Sequence, residues 1–151
     1  VATHLAETGN IVYAGARSYK NEVPGEGNLK KVYLDVTDQA SITAVVENII
    51  ATEGRIDCLV NCAAIQILGS VEDMTYEDFE NVLLTNTGGV VRTCKAVLPY
   101  MRNRNEGQIT FTVEEHFSAV SRSFVNQIKP MARMESKSFY KGYCVEVRYQ
   151  D

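Results

Sequence analysis

The chain has 151 residues, 45% hydrophobic and 23% charged, with a formal net charge of -4. That is the length of one ordinary domain with enough apolar material for a core, and it excludes global disorder. The acidic balance excludes nucleic acid and anionic membrane as main partners, and no run reaches the roughly 18 consecutive apolar residues of a transmembrane helix.

Short apolar runs alternate with amphipathic segments along the chain, the pattern of βαβ units feeding a parallel sheet. Residues 11–14 form an apolar run ending at Gly15, and 32–34 form a second that closes on Asp35; both read as buried strands. Between them, residues 20–28 carry Pro24, Gly25 and Gly27, too many breakers for more than a turn of helix. Ile42, Val45, Val46 and Ile49 then recur at helical spacing, with Thr37 or Asp38 placed to cap, which predicts a helix over 38–52. A third strand is predicted over 56–60. It is followed by Asn61-Cys62-Ala63-Ala64, residues small enough to let a ligand approach the strand's end.

The longest feature is a helix predicted over 75–101. Thr75 with Asp78 forms a capping box at its start, and its apolar stripe runs through Phe79, Leu83, Val90, Cys94, Val97 and Met101. Asn86 lies on that stripe. An amide buried without partners costs a few kcal/mol, so it must be bonded, in the plainest case to the backbone of a neighbouring loop. Gly88 and Gly89 each weaken a helix by about 1 kcal/mol relative to Ala, which points to close packing or a local distortion. A fourth strand is predicted over 108–113. Beyond it Val120, Phe124 and Ile128 suggest one short helix before a Tyr-rich end. Cys58, Cys62, Cys94 and Cys144 sit in apolar stretches with no His or second Cys pair to complete a metal site. They read as reduced core thiols, and no metal is expected. With no leader-like start, the chain reads as cytoplasmic.

Asp35-Val36 after the second strand, Asn61-Cys62-Ala63-Ala64 after the third, and Asn86 ahead of Gly88-Gly89-Val90 follow one another in an order that resembles the classical short-chain dehydrogenase/reductase family over roughly residues 2–112. The resemblance implies an α/β fold, a Rossmann-like doubly wound parallel sheet. It also implies that the sheet is incomplete: the family's first strand and T-G-x-x-x-G-x-G turn have no counterpart, and the last strands are missing. Residues 2–8 match the end of the helix after that turn. The expectation is a single partial dinucleotide-binding domain, truncated at both ends, with residues 113–135 unplaced.

The activity implied is hydride transfer between a nicotinamide cofactor and a small-molecule alcohol or carbonyl substrate. In the family a tyrosine acts as acid and base, its pKa lowered by a nearby lysine and the cofactor's charge. The catalytic positions carried over are Asn86 and Lys137. Val113 and Glu114 stand where the family has its serine. Ser136-Lys137 resembles one half of the Y-x-x-x-K motif, but Arg133 then takes the tyrosine position; the other register supplies Tyr140 and puts Cys144 at the lysine position. Either register breaks the pair, so this chain is expected to turn over no carbonyl substrate above background.

The resemblance further implies that Asp35 bonds the adenine edge, that Val36 packs on the ring, and that Asn61 with Ala63 lies along the ribose. Folds that choose NAD place an acid where this chain has Gly15-Ala16-Arg17-Ser18. The Arg17 guanidinium suits a 2′-phosphate, so NADP is favoured over NAD. Outside the resemblance, Arg17 reads as a solvated charge and Asp35 as a helix N-cap. Family members associate through the helix containing Asn86 and the one following Lys137, which implies a homodimer or homotetramer. The other class of function is a catalytically inactive Rossmann-like remnant acting through protein association.

Overall fold

The computed structural model describes residues 1–21, 27–67 and 69–111. The readings at Val113, Glu114, Arg133, Ser136, Lys137, Tyr140 and Cys144, and the short helix through Val120 to Ile128, lie outside the described residues.

In chain order the elements are α1 (Ala2–Glu7), β1 (Val12–Ala16), a 3-10 turn (Arg17–Asn21), β2 (Leu29–Tyr33), α2 (Gln39–Glu53), β3 (Cys58–Asn61), α3 (Tyr76–Val82), a π-helical turn (Leu83–Gly88), α4 (Gly89–Arg104) and β4 (Gln108–Phe111). All the pairing is parallel. β1 lies beside β2 from Val12–Leu29 to Ala16–Tyr33, and β3 lies beside β4 from Cys58–Gln108 to Asn61–Phe111. The four strands form two two-stranded sheets rather than the one sheet expected, with the edges of β1 and β3 on a common cleft.

The second strand starts and ends earlier than its apolar run suggested. Lys30 and Lys31 belong to it because their charges find partners: Lys30 Nζ sits 2.6 Å from Glu53 Oε1, and Lys31 Nζ lies 5.0 Å from the Tyr19 ring centre. The ladder closes where Leu34 N–H donates to Ala16 O, and Asp35 falls in the loop beyond.

Asp38 caps α2 by accepting from Ala40 N–H at 2.9 Å. The helix buries Ile42, Val46 and Ile49 against Cys94, Val97, Leu98 and Met101 of α4 and against Ile109 and Phe111 of β4. Thr75 and Asp78 form the reciprocal capping box that opens α3.

The single long helix expected over 75–101 is divided. The π-helical turn inserts extra backbone at Leu83–Gly88, so the faces of α3 and α4 do not align. Val97 and Met101 are core residues, whereas Phe79 and Leu83, placed on the same stripe from the sequence, are 45% and 40% exposed. Gly89 sits where α4 meets the loop after β2: a Cβ built on it would lie 2.8 Å from Val36 Cγ2.

Contacts along α4 give the relative direction of the two sheets. Its first turns touch Val36, beyond the end of β2, and Asn61, the last residue of β3. At its other end Arg104 reaches Asp57, just before β3. The carboxyl ends of β2 and β3 therefore lie at the same end of α4.

Candidate functional site

A cavity of about 1000 Å³ separates β1 from β3, and its lining runs from α1 at their amino ends to the loops after their carboxyl ends. The carboxyl ends are where open α/β sheets bind ligands, because strand ends and the loops after them leave a crevice there. Arg17, Asp35, Val36, Asn61 and Ala63 all line it, although they come from three separate segments of chain.

Asp35 is held as the first residue of a tight turn. Its Oδ1 accepts from Thr37 N–H at 2.9 Å and from the Thr37 hydroxyl at 2.7 Å, while its own N–H donates to Ser41 Oγ at 3.0 Å. The Thr37 bonds, hydroxyl first and then amide, hold the carboxyl below its ordinary value, with help from the nearby Arg17 charge. Asp38, not Asp35, is the helix cap, so Asp35 is left to serve the cleft. Arg17 is exposed at the first position of the 3-10 turn. Val36 is fixed from behind by Gly89 and by Arg92, whose Nη1 donates to Val36 O at 3.5 Å and to Leu84 O at 3.2 Å.

Asn61 lines the cavity but directs its side chain to α4. Its Oδ1 accepts from Thr93 Oγ1 at 2.7 Å, and its Nδ2 lies 3.9 Å from Cys94 Sγ. Ala63 and Ala64 are exposed on the rim. Burial pushes the Cys94 thiol up to about 12, so it stays protonated. Cys62 departs from the core-thiol reading, because it is exposed on the cavity rim.

Asn86 occupies the π-helical turn and grips the loop after β3 with both ends of its amide. Ile65 N–H donates to its Oδ1 at 2.8 Å, and its Nδ2 donates to Ile65 O at 2.9 Å. It thus has the loop-backbone partners that the sequence required, and it reaches the cavity through Ile65, which lines it.

Sequence reasoning missed Ser41, Arg92 and Thr93, and it offered Thr37 as a helix cap where the structure gives it to Asp35. Asp35-Val36-Thr37 carries a local signal, an Asp whose side chain turns onto the backbone two residues ahead. Thr93 and Arg92 carry none, since their partners are 32 and 56 residues away. Among the described residues, no group of three His, Cys, Asp or Glu side chains is placed to hold a metal ion, and no helix is long and apolar enough to cross a membrane.

A sequence profile described as short chain dehydrogenase matches residues 1–116. A 3-ketodihydrosphingosine reductase from Bacteroides thetaiotaomicron is 41% identical over 108 residues, which make up 72% of this chain and 39% of that protein. The chain thus spans about two fifths of that relative's length. Among solved structures, the serine dehydrogenase from Escherichia coli is 28% identical with a TM-score of 0.69, the match covering 84% of this chain and 65% of that one. A structure described as ElxO with NADP bound is 25% identical with a TM-score of 0.66, covering 73% and 48%. With the profile matched over most of its length and a Rossmann-like arrangement of parallel strands and helices, the chain belongs to the short-chain dehydrogenase/reductase family of oxidoreductases.

Proposed function

We propose that the cavity rim is the adenosine end of an NADP site, and that the protein is of the NADP-dependent oxidoreductase type acting on a small alcohol or carbonyl, its turnover impaired because neither register of residues 133–144 keeps a Tyr–Lys pair. The observation that carries the reading is the convergence of Arg17, Asp35, Val36 and Ala63 on one cavity. Their chemistry fits the group. Asp35 Oδ1 is engaged by Thr37, while Oδ2 has no hydrogen-bond partner among the described residues and suits the adenine amine. Val36 offers an apolar surface to the ring, and Ala63 together with the Asn61 backbone gives the ribose a close approach. The exposed Arg17 guanidinium, with its fork of donors, suits a 2′-phosphate. The NADP-bound relative accords with that choice.

When bound, the nicotinamide supplies or accepts the hydride. Asn86 keeps the loop through Ile65 in position beside the cavity, and Lys137 is the proposed lysine of the family's pair, with Arg133 in place of a tyrosine in that register. The proposed assembly is a homodimer or homotetramer through the helices containing Asn86 and following Lys137. It is supported by exposed Tyr76, Phe79, Leu83 and Leu84 along α3 and the π-helical turn, a run of large apolar side chains that association would cover.

The test is calorimetric titration of the chain with NADP and with NAD. NADP binds more tightly, and Arg17→Asp removes most of that preference, a loss on the order of tenfold for one charge-assisted contact. Equal binding of the two cofactors by the unaltered chain would show that Arg17 reads no phosphate.

A further inference from the structure

Gly88 and Gly89 each make room for a different neighbour. A Cβ on Gly89 would meet Val36, whereas one on Gly88 would lie 2.9 Å from Arg92 Nη1 and 3.5 Å from its Cζ, so the guanidinium rests over the bare backbone of Gly88. That seat decides where Arg92 donates. Its Nη1 reaches Leu84 O at 3.2 Å, in the π-helical turn, and Val36 O at 3.5 Å, in the loop after β2. Among the described residues no carboxylate pairs with Arg92, so a full cation serves two backbone carbonyls. Hydrogen bonds from an ionised donor are roughly twice as strong as neutral ones.

The two carbonyls belong to different parts of the cavity rim. Val36 sits inside the turn that Thr37 N–H closes on Asp35 at 2.9 Å. Leu84 lies in the same π-helical turn as Asn86, whose amide holds Ile65 in the loop after β3. Arg92 therefore stands between a clip on the β2 side and a clip on the β3 side.

We propose that Arg92 is a positioning residue that makes the loops after β2 and β3 act as one unit, so that a ligand gripping the first orders the second. The inference deepens the nucleotide reading and rests on it only for the identity of the ligand. Two sites are coupled when each biases one shared element, and here that element is the arginine bridge. Gly88→Ala isolates it. Gly88 has helical dihedrals, φ -62° and ψ -40°, so alanine suits the backbone there, while its methyl displaces only the free end of a flexible side chain. The variant keeps the arginine and the helix and removes the bridge.

Amide hydrogen exchange of the 151-residue chain is read at Thr37, at Ile65 and, as a gauge of global opening, at Ile49 inside α2. With no nucleotide added, Asn86→Ala should speed exchange at Thr37 by about tenfold relative to Ile49, and should leave that ratio unchanged in the Gly88→Ala background. Adenosine 2′,5′-bisphosphate, which carries the adenosine end alone, should slow exchange at Thr37 and Ile65 in the unaltered chain and at Thr37 only in Gly88→Ala. A residue that merely added stability would move all three sites together. Equal acceleration at Thr37 in both backgrounds, or none in either, overturns the proposal, as does slowing at Ile65 that survives Gly88→Ala. Bisphosphate that changes no rate in either chain counts against the nucleotide reading, and the substitutions then decide the bridge by themselves.

Discussion

Asn86 shows how far one side chain can be read from its neighbours in sequence. An amide on an apolar stripe beside two glycines is locally inconsistent, and local inconsistency in a folded chain marks a bonded, functional or strained position. The structure resolves it as a two-ended clip on Ile65 within a π-helical turn. Asn86→Ala leaves both Ile65 groups without that clip and should destabilise the chain by about 1–3 kcal/mol, measured by urea denaturation. An unchanged midpoint would mean that the clip contributes nothing. Asp35 was legible in position but not in environment. Its turn with Thr37 is local, whereas its neighbour Arg17 lies across the β1–β2 ladder. Asn61 was legible as the end of a strand, but its link to Thr93 was not, because nothing in residues 58–64 announces a hydroxyl 32 residues away.

Among the elements, α2 was readable from its spacing and cap, since amphipathic periodicity and N-capping are properties of a single segment. The division of the long helix into α3, the π-helical turn and α4 was only hinted at by Gly88 and Gly89. A stripe extrapolated at helical spacing loses register once extra backbone enters, and Phe79 and Leu83 are accordingly exposed. β2 was misplaced because its lysines look like solvent residues until Glu53 and Tyr19 are brought to them.

Two ionic contacts carry predictions at this scale. Asp57 is 5% exposed and is paired at 2.8 Å with both Arg55 and Arg104, tying the start of β3 to the end of α4. Asp57→Ala should cost about 1–3 kcal/mol, since both arginines lose a charge-assisted partner but stay partly in contact with solvent, and thermal unfolding measures it. Glu53 is held below its ordinary carboxylate value by the hydrogen bond from Lys30 and then by that from the Tyr13 hydroxyl. A depressed carboxyl stabilises the fold above its unfolded value and loses that contribution as pH falls through the folded one. Stability should therefore decline on acidification below the ordinary range for glutamate, and Glu53→Gln should flatten that part of the profile. A profile identical in the variant would show that Glu53 contributes nothing to the acid sensitivity.

For the molecule as a whole, the alternation of strands and helices was legible because each element carries its own period. The gathering of Arg17, Asp35, Val36, Asn61 and Ala63 on one cavity was legible only through the family resemblance, because the distances in sequence are too long for local patterns to encode. The separation of the strands into two sheets was not read at all: which edges meet is decided by packing over α2 and α4, not by the pattern of any one strand. The proposed binding of the adenosine end of NADP at this cavity rim has a direct test. The most direct measurement is an amide chemical-shift titration of the labelled chain with NADP. Perturbations should concentrate at Arg17, Asp35, Val36 and Ala63, with α3 unaffected. A spectrum that does not change, or changes centred on α3 instead, would contradict it.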